Sequence, residues 1–324
     1  MLKAKRRVTG ASPALARADA RAEVGAARVS RFGGPTAILC ATALMATQDV
    51  LVKALSSGLS LWQFFFLRSL LILPVLSLLI GWNGACRLRA ALDRWVLLRS
   101  ALIVAMYVFF YAALPVLELT VVSAVYYTGP LLIVLFSSVL LRERATVSHA
   151  VAVIVAFCGV MIVLRPAGED FSRAALIPFA SALCYALAMT TTRGKVRAVD
   201  PWALTFSLNI AFASAGALGI CLTACIGAPD VYPFLLTAWS PLDTRSGGAV
   251  VLLAALSIGI HLLLARAYQR GPTTVVASLD FSYLGFAAVG AFLFFGTVPA
   301  LPTVLGTCLI SATGLWGVLH SARR

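Results

Sequence analysis

The sequence predicts an all-α integral membrane protein in which ten transmembrane helices form two inverted repeats of five. Three observations lead to this fold class: the composition, the spacing of apolar runs and the distribution of basic residues. Of the 324 residues, 61% are hydrophobic and only 12% are charged, whereas soluble domains carry about 25% charged residues. With a mean hydropathy of +0.96, this composition excludes an ordinary soluble globule, a disordered chain and a disulfide-rich secreted module.

Ten apolar runs account for most of the chain. Each is close to the roughly 20 residues that a helix needs to cross a bilayer. We expect helices because a backbone exposed to lipid must satisfy its hydrogen bonds internally, and runs such as 70–73 lack the alternation of membrane strands. The predicted spans, numbered one to ten, are 35–56, 61–81, 96–115, 119–141, 146–164, 174–192, 201–226, 249–269, 272–295 and 301–319.

Basic residues are concentrated in alternate connections between these spans. One set of connections, with both termini, holds 21 Lys and Arg residues, and the other set holds only Arg165, Arg173 and Arg245. By the positive-inside rule the richer set is cytoplasmic, so both termini are expected there. We expect a bacterial cytoplasmic (inner) membrane, with residues 1–34 as a basic cytoplasmic tail on the anionic leaflet. The net charge of +14 is therefore assigned to lipid and not to nucleic acid.

No metal, cofactor or nucleotide site is predicted. Six of the seven cysteines lie in apolar runs, where thiols behave as small hydrophobic groups. Cys221 and Cys225 are four residues apart, but they have no neighbouring His or second Cys pair to complete a metal site. The Gly-rich phosphate loop of ATP-driven proteins does not occur in the sequence.

An internal repeat divides the chain. Residues 120–124 (TVVSA) align with 274–278 (TVVAS) at the start of spans four and nine, at an offset of 154 residues. The chain is therefore interpreted as two five-span halves, 35–165 and 174–320. Because each half has an odd number of spans, the halves run in opposite directions. Inverted repeats are typical of secondary transporters, which bind substrate between the repeats near the membrane midplane.

Short motifs spread over 35–320 carry a resemblance to a known family. They are Phe66-Leu67-Arg68, Leu98-Arg99, Pro130-Leu131, Leu141 to Arg144, Gly159 to Val163 with Arg165-Pro166, Ala267-Tyr268, Tyr283, Phe295-Gly296, Pro299 and Leu309-Ile310. In these positions the chain resembles the drug/metabolite transporter (DMT) superfamily, EamA type, which implies a ten-helix transporter. The pattern from Gln48-Asp49 to Lys53 is similar to a branch labelled S-adenosylmethionine-uptake-like. Thr297 is a departure, since the family usually has Glu there.

Three charged residues in spans one and two form the first candidate site. Asp49 and Arg68 each lie about seven residues, roughly 10 Å, from the outer end of their spans, and Lys53 follows Asp49 by four residues. Ionisable groups inside a membrane indicate function by default because burying them is costly. We expect either one charge cluster facing a cavity, or a structural ion pair with Lys53 extending to the membrane surface.

A second candidate site lies on the repeat. Asp280 and its counterpart Tyr126 fall at similar depths in spans nine and four, with Tyr283 and Tyr127 beside them. Asp280 has no basic residue within one helical turn, which suits a proton- or substrate-binding role. The alternative is a structural, hydrogen-bonded acid.

The remaining candidates are single residues with a structural alternative in each case. His261 lies at mid-depth of span eight, where a hydrogen bond to a neighbouring helix is the alternative role. Tyr107 either forms part of an aromatic wall for the substrate or packs against neighbouring helices. Pro130 interrupts span four, and Glu143 at the membrane boundary is a gate or an ion-pair member.

These features predict a secondary transporter and not an enzyme. The predicted substrate is a small polar organic metabolite or drug, including amino-acid-like and S-adenosylmethionine-like compounds. It would be moved by alternating access, either coupled to protons or by exchange. An intramembrane enzyme, for which Ser60 and His261 are candidates, and a non-transporting scaffold are the alternatives. The small residues Ala211, Ala215 and Gly219 of span seven permit close helix packing, within the chain or in a homodimer.

Overall fold

A computed structural model describes residues 13–56, 58–80, 89–141, 147–164, 173–196, 198–226, 233–237, 239–270 and 279–322. All regular structure within these ranges is helical. The helices are α1 (Pro13–Leu55), α2 (Leu61–Ile80), α3 (Arg94–Ala113), α4 (Leu119–Tyr126), α5 (Gly129–Leu140), α6 (Val147–Leu164), α7 (Ile177–Lys195), α8 (Pro201–Ile226), α9 (Pro233–Leu236), α10 (Thr244–Arg270), α11 (Ser282–Phe295) and α12 (Leu301–Ala322).

Each predicted apolar run contains helix, and the all-helical membrane fold is confirmed at this level. By length and composition, five helical segments in the described ranges can cross a membrane: Gly34–Leu55, Leu61–Leu78, Arg94–Ala113, Leu119–Leu140 and Trp202–Cys225. Shorter apolar helices occupy the runs that correspond to spans six, eight, nine and ten. Ten crossings and two inverted repeats therefore stay a prediction. The helix of span one also extends back to Pro13, into the segment predicted as a tail.

Span four is broken in the middle, as Pro130 predicts. Helix α4 ends at Tyr126 and α5 begins at Gly129, with Pro130 in its first turn. Proline has no amide hydrogen, so it cannot donate the bond that would continue α4. A turn at Phe281 interrupts the equivalent region of span nine just before α11. By contrast, α2 runs through Pro74 without ending.

Two helix pairs approach closely at glycines. A Cβ added at Gly219 of α8 would lie 2.2 Å from the Trp62 ring on α2. A Cβ at Gly306 of α12 would lie 2.5 Å from the carbonyl oxygen of Gly159 on α6. Backbones can come this close only where the side chain is absent. Gly219, part of the predicted small-residue stripe, is therefore used inside the chain.

The helix–helix contacts repeat when each helix of spans one to five is exchanged with the helix five spans later in the chain. Helix α1 packs on α10 and α11, while the corresponding helix of the second half, α7, packs on α3 and α5. Helix α3 contacts α8, and its counterpart α10 contacts α2. The pairs α2–α8 and α6–α12 map onto themselves.

The connection between α8 and α10 is held against the start of α2. The Trp62 indole N–H donates to the Leu235 carbonyl oxygen at 2.7 Å. The Gln63 amide donates to the Ser240 carbonyl oxygen and accepts from its backbone N–H, both at 2.9 Å. Phe234 is buried next to these contacts. We call residues 233–237 with 239 and 240 the outer cover.

Candidate functional site

Asp49 lies at the centre of a buried hydrogen-bond network. Its side chain is only 6% exposed, and each carboxylate oxygen accepts a tyrosine hydroxyl. Tyr111 on α3 donates to Oδ1 at 3.2 Å, and Tyr283 on α11 donates to Oδ2 at 2.5 Å. The bond from Tyr283 is the shorter of the two. Asp49 thereby joins α1 to one helix of each half.

The network extends to two further helices. Gln48 donates to the Tyr111 hydroxyl oxygen at 3.1 Å and accepts from the Ser257 hydroxyl of α10 at 2.8 Å. Ser123 on α4 donates to the Tyr283 hydroxyl oxygen at 3.4 Å. Successive residues on a helix point about 100° apart, which lets adjacent residues of α1 reach different partners. Five helices, α1, α3, α4, α10 and α11, meet in this network.

Arg68 lies near this network but is not bonded to it. Its side chain is 3% exposed, and its guanidinium carbon is 4.4 Å from the centroid of the Phe212 ring and 5.0 Å from that of Phe64. Arg68 interacts electrostatically with Asp49 and with the hydroxyls of Tyr107 and Tyr111. Within the described residues, no hydrogen bond or ion pair joins Arg68 directly to Asp49, so they are neighbouring charges and not a contact pair.

Lys53 points away from Asp49. Its ammonium donates to the carbonyl oxygens of Leu114 at 2.6 Å and Leu117 at 2.5 Å. It also lies 5.6 Å from the centre of the Phe295 ring and interacts electrostatically with Glu118. The expected cluster of three charges is therefore not formed. Lys53 neutralises the carbonyl end of α3 instead, which is favourable because those carbonyls have no intrahelical partner.

Six tyrosine rings form a connected cluster inside the bundle. Tyr127 and Tyr283 are stacked, with centroids 5.1 Å apart and planes 16° apart. The ring of Tyr126 is 5.4 Å from that of Tyr185. Tyr107 is 5.3 Å from Tyr111 and 5.4 Å from Phe212. We call these six tyrosines the tyrosine cluster: Tyr107, Tyr111, Tyr126, Tyr127, Tyr185 and Tyr283.

Asp280 lies at the edge of the tyrosine cluster. The Tyr127 hydroxyl donates to the Asp280 backbone carbonyl oxygen at 3.2 Å. The Asp280 carboxylate interacts electrostatically with the hydroxyls of Tyr126 and Tyr185, so the structure brings together the two positions that the repeat relates. Among the described residues, no side chain donates a hydrogen bond to this carboxylate. These surroundings are compatible with the proton- or substrate-binding role and with the structural role that the sequence leaves open.

The other candidates are less central. His261 Nδ1 lies 2.6 Å from the Ser257 carbonyl oxygen one turn earlier in α10, so its hydrogen bond stays within its own helix. Pro130 marks the helix break, and Glu143 lies outside the described residues. The buried Ser60 hydroxyl has no partner in the described ranges. Within those ranges, no three His, Cys, Asp or Glu residues are grouped as metal ligands.

Thr297, the departure from the family pattern, follows the end of α11. Gly296 closes the helix with φ +64°, a left-handed conformation that glycine adopts without strain. The Thr297 hydroxyl donates to the Ala291 carbonyl oxygen at 3.1 Å. A glutamate carboxylate could not make this bond, so Thr297 stabilises the helix end differently from an acid.

Several residues of the network were not expected from the sequence. Gln48, Ser123, Ser257 and Tyr185 were given no role, and Tyr111, on the same face of span three as Tyr107, was considered with it for a substrate wall or for packing. The available signal was their polarity inside apolar spans, because a buried hydroxyl or amide needs a partner. The pairing of α1 with α10, which joins Gln48 to Ser257, is a tertiary contact without a local sequence pattern.

A buried polar network at a helix break, inside a bundle of apolar helices, is typical of a membrane transporter. Residues 33–165 match the family model described as the EamA-like transporter family. Over this part the chain is similar to that family, which supports the resemblance to the drug/metabolite transporter superfamily, and its curated relatives are named as transporters.

Two curated relatives carry a more specific name. The riboflavin transporter of Rhizobium johnstonii is 28% identical over 214 residues, which cover 66% of this chain and 65% of that protein. The riboflavin transporter of Vibrio cholerae is 25% identical over 188 residues, covering 56% and 57%. The matched region thus spans less than two thirds of each relative. A solved crystal structure of a protein, 19% identical, superposes with a TM-score of 0.52 over 91% of this chain and 98% of that one, which supports the fold alone.

Proposed function

We propose that the protein is a secondary transporter that moves a small planar aromatic metabolite of the riboflavin class by alternating access. The tyrosine cluster is the observation that carries this proposal. Aromatic rings bind flat, π-rich ligands by offset stacking and edge contacts, and tyrosine hydroxyls add hydrogen bonds to polar substituents. Two relatives named as riboflavin transporters support the same ligand class.

The proposed transport path lies between two inverted five-helix halves in a ten-helix bundle. The exchange-symmetric packing of the helices supports this arrangement, as do the matched breaks at Tyr127 and Phe281. In such transporters the substrate binds near the midplane beside discontinuous helices, and one half moves against the other. The basic residues support an orientation with both termini in the cytoplasm.

Asp49 and Asp280 have different roles in this scheme. Asp49 accepts hydroxyls from α3 and α11, so it orients Tyr111 and Tyr283 toward the ligand. The Asp280 carboxylate has no donor among the described residues and lies beside Tyr126, which leaves it to bind substrate or to exchange the proton of a coupled cycle. Alternating access requires these contacts to differ between the outward- and inward-open states.

Uptake of radiolabelled riboflavin into proteoliposomes containing the purified protein tests the proposal. We expect saturable uptake that exceeds the signal of protein-free liposomes and is reduced by unlabelled riboflavin. The variant Tyr283→Phe removes a hydroxyl bound to Asp49 and should reduce uptake. Tyr126→Phe is the matched comparison. It also removes one tyrosine hydroxyl from the cluster, but this hydroxyl makes no hydrogen bond within the described residues. Riboflavin uptake no greater than in protein-free liposomes, with or without a pH gradient, would contradict the proposal.

A further inference from the structure

The Arg68 guanidinium is buried, and the described residues offer it no hydrogen-bond acceptor. Its Nε is fully buried without a partner among them, and none of them accepts from its terminal nitrogens. A guanidinium carries five N–H donors in one plane. Leaving buried donors unpaired is unfavourable, so a protein keeps such a group where another molecule supplies the acceptor.

The neighbouring groups do not satisfy these donors. The rings of Phe64 and Phe212 interact with the positive charge through their faces, a contact that uses no N–H donor. The two Asp49 oxygens accept from Tyr111 and Tyr283 instead. Arg68 is thus held in place by apolar contacts, and the in-plane edge of its guanidinium stays available.

The close approach of α2 and α8 positions Arg68. Gly216 and Gly219 leave no room for side chains, since a Cβ at Gly216 would lie 2.6 Å from the Phe66 backbone nitrogen. Phe212, one turn before Gly216 on α8, therefore reaches the guanidinium. It also packs 5.4 Å from Tyr107, whose hydroxyl interacts electrostatically with Arg68. The unpaired donors thus lie next to an aromatic wall of the tyrosine cluster.

We propose that Arg68 is a specificity-determining residue that binds a carbonyl oxygen and the adjacent ring nitrogen at one edge of a planar heteroaromatic substrate, the ring of which packs against Tyr107 and Phe212. This inference rests on the proposed function. A planar guanidinium matches two acceptors lying in one plane, which gives bidentate binding and geometric selectivity. A flat ring bearing such acceptors presents a stacking face and an acceptor edge together, the combination that this part of the protein offers.

Direct binding to the purified protein tests this role separately from transport. Equilibrium dialysis would compare lumichrome, a tricycle with two ring carbonyls, and phenazine, a tricycle with none. We expect the wild-type protein to bind lumichrome at least about tenfold more tightly, because a buried bidentate contact is strengthened by charge. Arg68→Lys keeps the charge but loses the planar fork, and should reduce this preference to about threefold or less.

Arg99→Lys is the matched control. Arg99 is a second membrane arginine: its Nε donates to the Thr192 hydroxyl at 3.0 Å, while its Nη1 is buried without a partner in the described residues. It therefore controls for the loss of a buried guanidinium that does not contact Phe212. This change should leave the lumichrome-to-phenazine preference unaltered. Thermal unfolding of both variants reports whether they fold. If Arg68→Lys folds and its preference for lumichrome is unchanged, the inference is overturned. If Arg68→Lys does not fold, the wild-type protein decides alone, and equal affinity for the two ligands overturns the inference. If riboflavin uptake is absent but the preference for lumichrome over phenazine is present and depends on Arg68, the proposed function is rejected and the inference about Arg68 stands.

Discussion

The hydrogen bond between Tyr283 and Asp49 is expected to contribute measurably to stability. Tyr283→Phe removes the hydroxyl that donates at 2.5 Å to a buried carboxylate and leaves one carboxylate oxygen without its donor. Hydrogen bonds between membrane helices average about 0.6 kcal/mol and reach about 1.7 kcal/mol, while bonds to charged groups in proteins contribute about 1.5–3 kcal/mol. Because this acceptor is a buried carboxyl group, we expect a loss of about 1–2 kcal/mol.

Unfolding of the detergent-purified protein by an SDS titration measures this loss. The matched control is Tyr126→Phe, because the Tyr126 hydroxyl makes no hydrogen bond within the described residues; its loss should be below about 0.5 kcal/mol. A double-mutant cycle with Asp49→Asn should give a coupling energy of about 1 kcal/mol or more, since contacting residues are not additive. Equal stability of Tyr283→Phe and Tyr126→Phe, or strict additivity in the cycle, would refute the reasoning.

Three further predictions follow from other parts of the protein. Asp280→Asn should insert and unfold like the wild type while uptake loses its pH dependence, because an amide exchanges no proton; unchanged pH-dependent uptake would remove Asp280 from the coupling step. Gly306→Ala should lower the free energy of unfolding by about 1–3 kcal/mol through overpacking against α6, whereas Gly285→Ala, where a Cβ meets no atom within 4 Å, should be neutral or stabilising in the same titration. Reporter fusions should place residue 243 outside and residue 324 inside, and a cytoplasmic signal at 243 would invalidate the topology.

The sequence was sufficient where a property is local to one segment. Apolar runs located the helices because burial in lipid selects composition directly. Pro130 located the break in span four because a missing amide hydrogen interrupts a helix wherever it occurs. The repeat register related Tyr126 to Asp280, and the structure brings both to the same region of the bundle.

Side-chain partners between helices could not be obtained this way. Lys53 was spaced correctly for Asp49 along α1, but the free carbonyls at the end of α3 are closer acceptors. Equal depth of Asp49 and Arg68 in the membrane did not define how their helices are rotated about their axes. The contact of Arg68 with Phe212 depends on the pairing of α2 with α8, which the spacing of residues along one span does not encode.

Helix α2 connects two features that lie at different depths. Its first turn holds the outer cover through Trp62 and Gln63, and the same Trp62 ring fits against Gly219 of α8. Arg68 follows about one and a half turns later on this helix. Because a helix moves as a stiff rod over so short a distance, a tilt of α2 that loosens the cover also displaces the guanidinium. In the proposed transport cycle, opening of this cover and release of the ligand by Arg68 would therefore occur together.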